Sequence, residues 1–329
     1  MTQRFLVTGG AGYVGSHVVA ALADRGDAVV VIDNLRQGHR KAVLGGARLI
    51  EADLADVAAV DEVLADGPWD GVLHFASLSL VGESMKAPFR YLAENALGAI
   101  GLIEASVRHG VRRFVLSSTA NLFGAPSRVP ISEDAEVDPG SPYGESKWMI
   151  ERALVWADRL HGLRSGRLRY FNAAGADPAG RLGEDHRPET HLIPLVIDAA
   201  LGRRPSIEVF GSDYPTPDGT CIRDYVHVAD LADGHLRVLD KLETGSATYN
   251  LGNGLGHSVL QVIAAVERVG GRAVPYTFAL RRPGDPPVLV AASDRIRRET
   301  GWTPAHAELD QIVSTAWAWR EAHPDGYGD

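Results

Sequence analysis

The chain has 329 residues, of which 45% are hydrophobic and 23% are charged, a composition typical of folded globular proteins. Its 33 basic and 42 acidic side chains give a net charge of -9, which argues against a nucleic-acid-binding surface. The single cysteine, Cys221, cannot form an internal disulfide, and no apolar run approaches the roughly 18 residues that span a bilayer. Because the first residues do not resemble a secretory leader either, we expect a cytoplasmic protein without membrane contacts.

Short apolar runs alternate with longer amphipathic segments through the first half of the chain. The segments between the runs have the periodicity of helices. This alternation predicts an α/β protein with a Rossmann-like, doubly wound parallel sheet over residues 1–172. The runs, which are typical of buried parallel strands, lie at residues 4–8, 28–33, 48–53, 71–76 and 113–118.

After Phe171 the chain becomes rich in Gly, Pro and Asp, at 173–190, 211–224 and 281–287. A length of 329 residues is typical of about two domains. We therefore expect residues 173–329 to form mainly a smaller C-terminal substrate-binding domain, whose loops cover the carboxyl ends of the strands. Some of its segments should return to the main sheet.

The first predicted strand leads into a glycine-rich turn with Gly9, Gly12 and Gly15 at three-residue spacing. Such a turn lets the backbone approach a pyrophosphate at a helix N-terminus, although glycine-rich turns also occur as plain structure. Asp33 ends the second strand, where a carboxylate would bind the ribose hydroxyls of NAD and repel the 2′-phosphate of NADP. Asp53 ends the third strand and is a candidate for the adenine edge. Asp33 as a turn residue and Asp53 as a helix cap are the structural alternatives.

The stretch "SPYGESKWMIER" at 141–152 begins a predicted helix, with Ser141 as N-cap and a proline in the first turn. Tyr143 and Lys147 lie one turn apart on its apolar face. Buried lysine is rare without a partner, so we expect its ammonium group to lower the pKa of the tyrosine and make it a base. A salt-bridged or snorkelling lysine is the structural alternative. Thr119, after the fifth strand, supplies a hydroxyl that would share the proton.

Several longer motifs extend the pattern over nearly the whole chain. The chain resembles the extended short-chain dehydrogenase/reductase family, and within it the 4-epimerases of UDP-hexoses. The resemblance rests on the stretches "VTGGAGYVGSH", "DNLRQGHR", "HFASLSLVGES", "SPYGESK", "RYFNAAGADP", "DYPTPDGTCIRDYVHVADLADGH", "YNLGNGLGHSV" and "RRPGDPP".

The resemblance implies C4 epimerisation of UDP-glucose and UDP-galactose through a 4-keto sugar, with NAD as cofactor, Tyr143 as base, and Lys147 and Thr119 as its partners. It also implies a homodimer, and we assign no metal ligands. By similarity, the cofactor contacts would be Gly9, Gly12, Tyr13, Val14, Gly15, Asp33, Asn34, Asp53, Leu54, Phe75, Asn95, Thr119, Tyr143, Lys147 and Phe171. The UDP-sugar contacts would be Thr119, Tyr143, Asn172, Phe210, Arg223, Arg282, Asp285 and Leu289.

Two departures from the family pattern carry predictions. Ser79 stands where the family commonly has a lysine beside the nicotinamide ribose, which predicts weaker retention of NAD. Leu289 stands where some members have a bulky tyrosine, which predicts room for N-acetylated sugars. Without the resemblance, Arg223 could pair with Asp224 or another carboxylate, and Arg282 could be a surface charge.

Other activities remain open at this point. A 4-epimerase of a UDP-N-acetylhexosamine, UDP-glucuronate or a UDP-pentose is the main alternative. A nucleotide-sugar dehydratase is disfavoured, because its Thr-Asp-Glu motif is replaced by Thr119, Ala120 and Asn121. A non-catalytic NAD-binding regulator is disfavoured because both Tyr143 and Lys147 are present.

Overall fold

A computed structural model describes residues 2–124, 126–282 and 285–328. Its main feature is a seven-stranded sheet in which every adjacent pair of strands is parallel. The strands of the described chain are β1 (Arg4–Thr8), β2 (Ala28–Asp33), β3 (Arg48–Glu51), β4 (Gly71–His74), β5 (Arg113–Thr119), β6 (Arg164–Tyr170), β7 (Asn172–Ala174), β8 (Ile207–Phe210), β9 (Ile222–His227), β10 (Ala247–Leu251), β11 (Gly256–Ser258), β12 (Tyr276–Ala279) and β13 (Val288–Leu289).

The α-helices connect these strands and vary in length from one turn to more than five. A π-helical stretch, Leu92–Leu97, joins two of them into one continuous helix. The helices are α1 (Tyr13–Asp24), α2 (Val57–Ala65), α3 (Val81–Ser84), α4 (Pro88–Tyr91), α5 (Gly98–Arg108), α6 (Pro142–His161), α7 (Leu192–Ala200), α8 (Val228–Lys241), α9 (Val259–Gly270), α10 (Asp294–Thr300) and α11 (Leu309–Ala322).

The main sheet has the strand order β3-β2-β1-β4-β5-β6-β10. The first six strands of this order are those of a doubly wound dinucleotide-binding fold, which confirms the predicted fold class. The order reverses between β1 and β4, so a crevice opens at the carboxyl ends of these two strands. Asp33, Thr119 and Tyr170 end their strands at this same edge.

Both faces of the sheet are covered, because residues along each strand alternate between two apolar clusters. In β1, Phe5 and Val7 pack with α1 and α8, whereas Leu6 packs with α2, α5 and α6. All seven residues of β5 are buried, including the three hydroxyl side chains at its carboxyl end.

The rest of the chain forms a smaller unit against the carboxyl edge of the main sheet. In it, β9 pairs with β7, β11 and β13, β8 pairs with β12, and helices α7, α9 and α11 form a separate apolar cluster. Not all of 173–329 belongs to this unit, since β10 pairs in parallel with β6 and α8 packs on the main sheet. No helix of the described chain is long and apolar enough to cross a membrane.

A buried ion pair fixes α6 against the centre of the main sheet. Arg169 of β6 contacts Glu151 of α6 with two hydrogen bonds of 2.7 and 2.9 Å, and both side chains are almost completely buried. The hydroxyl of Ser118 on β5 donates a further hydrogen bond of 2.6 Å to the same carboxylate. The helix that carries Tyr143 is thus held at one defined position on the sheet.

Removing the arginine of this pair should destabilise the fold strongly. Replacing Arg169 with leucine leaves the Glu151 carboxylate buried without its cation, and we expect the free energy of unfolding to fall by about 3–5 kcal/mol. The control Arg268→Leu removes an exposed ion pair with Asp310 and should leave that free energy almost unchanged. Urea denaturation measures both, and equal losses in the two variants would contradict this role of the buried pair.

Candidate active site

The glycine-rich turn between β1 and α1 is shaped by close backbone contacts. Gly9 has a φ of +72°, and a Cβ atom there would lie 2.3 Å from the nitrogen of Ala76. A Cβ atom on Gly15 would lie 2.1 Å from the carbonyl oxygen of Gly9. At Gly12, by contrast, that same oxygen is the nearest atom, at 3.4 Å. Two glycines are therefore required by the fold, and Gly12 leaves a bare surface beside the turn.

The start of α1 presents unpaired amides at this surface. Gly12 is the N-cap and supplies no side-chain acceptor, so the first N–H groups of the helix can bind an anion. Tyr13 and Val14, the first two residues of the helix, were predicted to contact the cofactor. The Tyr13 hydroxyl donates a hydrogen bond of 2.7 Å to the carbonyl of Gly175, which fixes its ring beside the turn. The turn is a suitable cradle for a pyrophosphate.

Asp33 lies at the end of β2 and faces the same turn. Its two carboxylate oxygens accept hydrogen bonds from the amides of Ala11, at 3.0 Å, and Leu35, at 2.9 Å. Burial raises the pKa of this carboxyl, and the two amides oppose that rise. Each oxygen retains a second lone pair, so the group can still accept hydroxyl protons of a ribose.

Asn34, Asp53 and Leu54 form the outer wall next to Asp33. The amide of Asn34 donates to the Asp53 carboxylate at 2.8 Å, and the backbone of Ala55 donates to its other oxygen at 2.9 Å. These donors lower the pKa of Asp53, which therefore stays ionised. Leu54 packs near the Cα of Gly98 at the start of α5. The predicted adenine-side residues are thus neighbours in the structure.

Tyr143 and Lys147 lie in the first two turns of α6, against the end of β5. The Ser141 hydroxyl accepts a hydrogen bond of 3.1 Å from the amide of Gly144, so the predicted N-cap is confirmed. The Lys147 side chain is 1% exposed, and its amine donates to the carbonyl of Ser117 at 3.0 Å. That amine lies 6.0 Å from the centroid of the Tyr143 ring. The hydroxyl of Thr119 lies near enough to the phenol to lower its pKa, so Thr119 and Lys147 both lie close to Tyr143.

The pKa values of this group differ from the sequence-based expectation. Burial raises the pKa of Tyr143, and the hydrogen bond with Thr119 offsets that rise only in part. Burial also lowers the pKa of Lys147 to about 7, and no carboxylate of the described chain opposes this effect. The expectation that Lys147 lowers the tyrosine pKa is therefore wrong for the protein alone. Desolvation is the main effect at Tyr143, and a further positive charge nearby would be required to favour the phenolate.

The loop after β4 reaches the same site from the other side. The amide of Asn95 bonds both the nitrogen and the carbonyl of Leu78, at 2.8 and 3.0 Å, and also the hydroxyl of Ser146 on α6, at 3.1 Å. Asn95 therefore fixes the loop. The ring centroid of Phe75 lies 4.9 Å from that of His235, whereas Ser79 is exposed.

The predicted UDP-sugar residues gather on the smaller unit. Arg223 on β9 forms an ion pair of 3.3 Å with Asp285, and Leu289 on β13 is its direct partner in the sheet. The guanidinium of Arg282 stacks over the ring of Phe210 at 4.0 Å. The alternative pairing of Arg223 with its sequence neighbour does not occur. Asp224 instead accepts backbone hydrogen bonds from Asn253, Gly254 and Ala291.

The short strand β7 connects the residues around Tyr143 with the predicted UDP-sugar residues of the smaller unit. Phe171 and Asn172 follow directly after β6, whose last residue, Tyr170, pairs with Thr119. Asn172 pairs in turn with Tyr225 on β9, two residues after Arg223. The smaller unit therefore continues from the edge of the sheet where Tyr143 lies.

Two residues of the site, the partly buried Tyr170 and the buried Glu151, were not predicted from the sequence. The Tyr170 hydroxyl forms a hydrogen bond with the hydroxyl of Ser117. A negative charge on Tyr143 would raise the pKa of Tyr170. Glu151 lies one helical turn after Lys147, and this spacing could have identified it from the sequence as a residue facing the sheet. No sequence signal identifies Tyr170, because its position depends on the register of β6 against β5.

This combination of features defines a class of protein. A doubly wound sheet with a glycine-rich cradle, an acid at the end of β2, and a Tyr-x-x-x-Lys pair beside a strand-end hydroxyl is typical of nicotinamide-dependent enzymes of the short-chain dehydrogenase/reductase type. The family model "NAD dependent epimerase/dehydratase family" matches residues 5–252, and the chain belongs to this family.

Individual relatives match over their full length. The UDP-glucose 4-epimerase of Lacticaseibacillus casei is 47% identical, over 98% of both chains. A crystal structure of a UDP-glucose 4-epimerase superposes with a TM-score of 0.96 at 46% identity, over 99% of both chains. The UDP-glucose 4-epimerase from Bifidobacterium longum, in complex with NAD+ and UDP, has a TM-score of 0.94 at 34% identity and covers 99% of this chain and 100% of its own. These findings confirm the resemblance found in the sequence.

The buried amine of Lys147 should make stability depend on pH in a defined direction. Its ordinary pKa is 10.5 and burial lowers it to about 7, so the unfolded state binds more protons between these values. The free-energy cost of burying the Lys147 ammonium group is present in full below pH 7 and decreases as the pH rises above that value. Relative to Lys147→Met, the nucleotide-free wild type should gain about 2 kcal/mol of unfolding free energy from pH 7 to pH 9. Urea denaturation at both pH values measures this gain, and a pH-independent difference would contradict it.

Proposed function

We propose that the protein is a UDP-glucose 4-epimerase, which interconverts UDP-glucose and UDP-galactose by inverting the configuration at C4. The observation that carries this proposal is the contact of Tyr143 with Thr119 beside the buried amine of Lys147. The full-length similarity to UDP-glucose 4-epimerases supports this choice of reaction. Other UDP-sugar 4-epimerases would use the same catalytic group, but the named relatives do not favour them.

The residues around the glycine-rich turn fit NAD, the cofactor of the family. The bare surface at Gly12 and the free amides of α1 suit the pyrophosphate, and Asp33 suits an unphosphorylated ribose. When bound, NAD would accept the C4 hydrogen of the sugar as hydride and return it, and its positive charge would favour the tyrosine phenolate. The residues we propose as its contacts are Gly9, Gly12, Tyr13, Val14, Gly15, Asp33, Asn34, Asp53, Leu54, Phe75, Asn95, Thr119, Tyr143, Lys147 and Phe171.

Tyr143 would act as the general base and then as the general acid on the C4 oxygen of the sugar. The hydroxyl of Thr119, which lowers the pKa of the phenol, would share this proton with it. Lys147 would stabilise the phenolate with its ammonium form, since its pKa of about 7 keeps a large share protonated near neutral pH. The carbonyl of Ser117 fixes that amine in place, which limits its movement between the two half-reactions.

The smaller unit would hold the uridine diphosphate. Arg223 and Arg282 supply the guanidinium groups that match a diphosphate, and Asp285 and Phe210 orient them. Because the nucleotide is bound away from the reacting carbon, a 4-keto sugar could turn about its diphosphate link without leaving. Asn172 and Leu289 would line the sugar. The admission of N-acetylated sugars beside Leu289 and the weaker retention of NAD from Ser79 both stay predictions.

A dehydratase reaction is not supported by the acids near Tyr143. The strand-end stretch contains Ala120 and Asn121 where an acid would be required. Glu151 is the acid that contacts β5 from α6, and it is held by Arg169 and by the hydroxyl of Ser118. A carboxylate held in this way is not available to protonate a leaving hydroxyl.

Replacing Tyr143 with phenylalanine should reduce epimerisation by about 10²–10⁴-fold, because the proton on the C4 oxygen then has no acceptor. The bound NAD content should remain largely unchanged. Conversion of UDP-galactose to UDP-glucose measures the rate, and nucleotide release on denaturation measures the cofactor. Tyr249→Phe is the control, since that hydroxyl bonds only Glu299 in the contacts described and lies outside the site. Substantial activity in Tyr143→Phe would show that another group is the base.

We also propose that two copies of the chain associate through α5 and α6, in a cytoplasmic homodimer. These neighbouring helices expose apolar side chains at helical spacing, including Leu97 at the end of the π-helical stretch and Trp156 on α6, which are 66% and 51% exposed. Phe89 on α4, which contacts α6, and Leu160 on α6 are further exposed apolar side chains of these helices. An exposed apolar surface of this kind is typical of a protein interface.

Introducing charge into this surface should dissociate the dimer. We expect the wild type to sediment with the mass of two chains at micromolar concentration and Trp156→Glu to sediment mainly as a monomer, because a carboxylate would be buried without a partner. Phe278→Glu, at an equally exposed aromatic residue of β12, should leave the mass unchanged. Sedimentation velocity distinguishes these outcomes. A wild type that sediments as a single chain would contradict the proposal.

A further inference from the structure

Four potential metal ligands gather in one short segment before α7. Glu184, His186, Glu189 and His191 lie within eight residues, with the spacing E-x-H-x-x-E-x-H. One ligand atom from each side chain lies within 4.8 Å of every other. No metal ligands were predicted from the sequence, although this spacing is visible in "GEDHRPETH". None of the four residues belongs to the group around Tyr143.

The distances within this cluster match a tetrahedral site. Four ligands at about 2.0–2.1 Å from a zinc ion lie about 3.3 Å from one another. The nitrogen Nδ1 of His191 lies 2.8 Å from Oε1 of Glu184 and 3.1 Å from Oε1 of Glu189. The nitrogen Nδ1 of His186 lies 3.3 Å from Oε1 of Glu184 and 3.8 Å from Oε2 of Glu189. One small cation could contact all four side chains after minor adjustment.

Several of these atoms are buried and lack hydrogen-bond partners. Oε1 of Glu184, Nδ1 of His186 and Oε2 of Glu189 have no partner of suitable geometry within the described part of the chain. Both carboxylate side chains are only 7% exposed. Buried polar atoms are normally satisfied, so three such atoms directed at one point indicate a ligand there. Ion pairs between the two histidines and the two glutamates are the alternative, but of the four contacts given above only that of Nδ1 of His191 with Oε1 of Glu189 has the geometry of a hydrogen bond.

The surrounding backbone already orients one ligand. Oε1 of Glu189 accepts hydrogen bonds from the amides of Thr190, at 2.8 Å, and His191, at 2.9 Å. These contacts direct the other oxygen of Glu189 toward His186. Support of this kind around a ligand is a regular feature of metal sites. His191 is 40% exposed, which provides an entry path for an ion from solvent.

We propose that the protein binds one zinc ion through Glu184, His186, Glu189 and His191. Two imidazole nitrogens and two carboxylate oxygens in tetrahedral array are a ligand set that zinc accepts readily. Four protein ligands leave no position for water or substrate, so the site is structural and takes no part in the chemical step. This inference does not depend on the proposed epimerase activity.

The ion would fasten the loop before α7 to the cofactor side of the main sheet. The ring of His186 lies edge-on to that of Tyr13, the first residue of α1, with centroids 6.1 Å apart. The carbonyl of Asp185 contacts the ring of His39 at 2.9 Å. Directly after His191, α7 enters the apolar core of the smaller unit. A zinc ion here would connect the two units of the molecule next to the glycine-rich turn.

Metal analysis of the untagged, full-length protein tests this proposal. After dialysis against buffer without metal, the wild type should retain about one zinc ion per chain, measured by plasma mass spectrometry. His191→Ala should lose it, because three ligands bind far more weakly. His109→Ala is the control, since that histidine pairs with Asp61 on another helix and should not affect zinc. His191→Cys, which restores a ligand, should retain zinc and shows that loss in the alanine variant is not misfolding.

A second readout follows the stability of the same proteins. Removal of zinc by a chelator should lower the melting temperature of the wild type and of His109→Ala but leave that of His191→Ala unchanged. Wild-type protein that contains no stoichiometric zinc even after dialysis against zinc would overturn the proposal. Equal zinc contents in the wild type and His191→Ala would overturn it too, and so would a different metal at one ion per chain.

Discussion

The burial of the Lys147 amine at the end of β5 is the constraint on which the active site depends. An amine that is 1% exposed and has no carboxylate partner in the described chain is costly for the fold, and burial lowers its pKa to about 7. The carbonyl of Ser117 holds this amine, and the buried pair of Glu151 with Arg169 holds the helix that carries it. This cost of desolvation is reasonable at a position where a cation is proposed to stabilise a phenolate. The pair of Glu151 with Arg169 thus stabilises one turn of α6, whereas the buried amine of Lys147 destabilises the turn before it.

Much of this organisation was predictable because it depends on local sequence patterns. The strands of the sheet follow from short apolar runs, the start of α6 from Ser141 and the proline after it, and the cradle from three glycines. Asp33 was placed correctly at the end of β2, beside the turn. Each of these features is determined by residues close together in the chain, where propensity and spacing are informative.

The features that could not be predicted depend on contacts between distant residues. The sequence predicts that some later segments return to the main sheet, but that β10 is the returning strand and that β7 pairs with β9 follow from the packing of the smaller unit. The raised pKa of Tyr143 follows from its burial, which the Tyr-x-x-x-Lys spacing does not reveal. Likewise, the predicted cofactor residue Asn95 bonds the backbone of Leu78, a contact set by the fold of the loop after β4.

In the proposed epimerisation, the C4 hydrogen leaves the sugar as hydride and returns to the same carbon while Tyr143 moves the proton on the oxygen. Turnover of UDP-galactose that carries deuterium at C4 tests this route. The UDP-glucose formed should keep the deuterium at C4, because a transferred hydride does not exchange with water. Loss of the label to water during epimerisation would contradict it, since the C4 hydrogen would then leave as a proton.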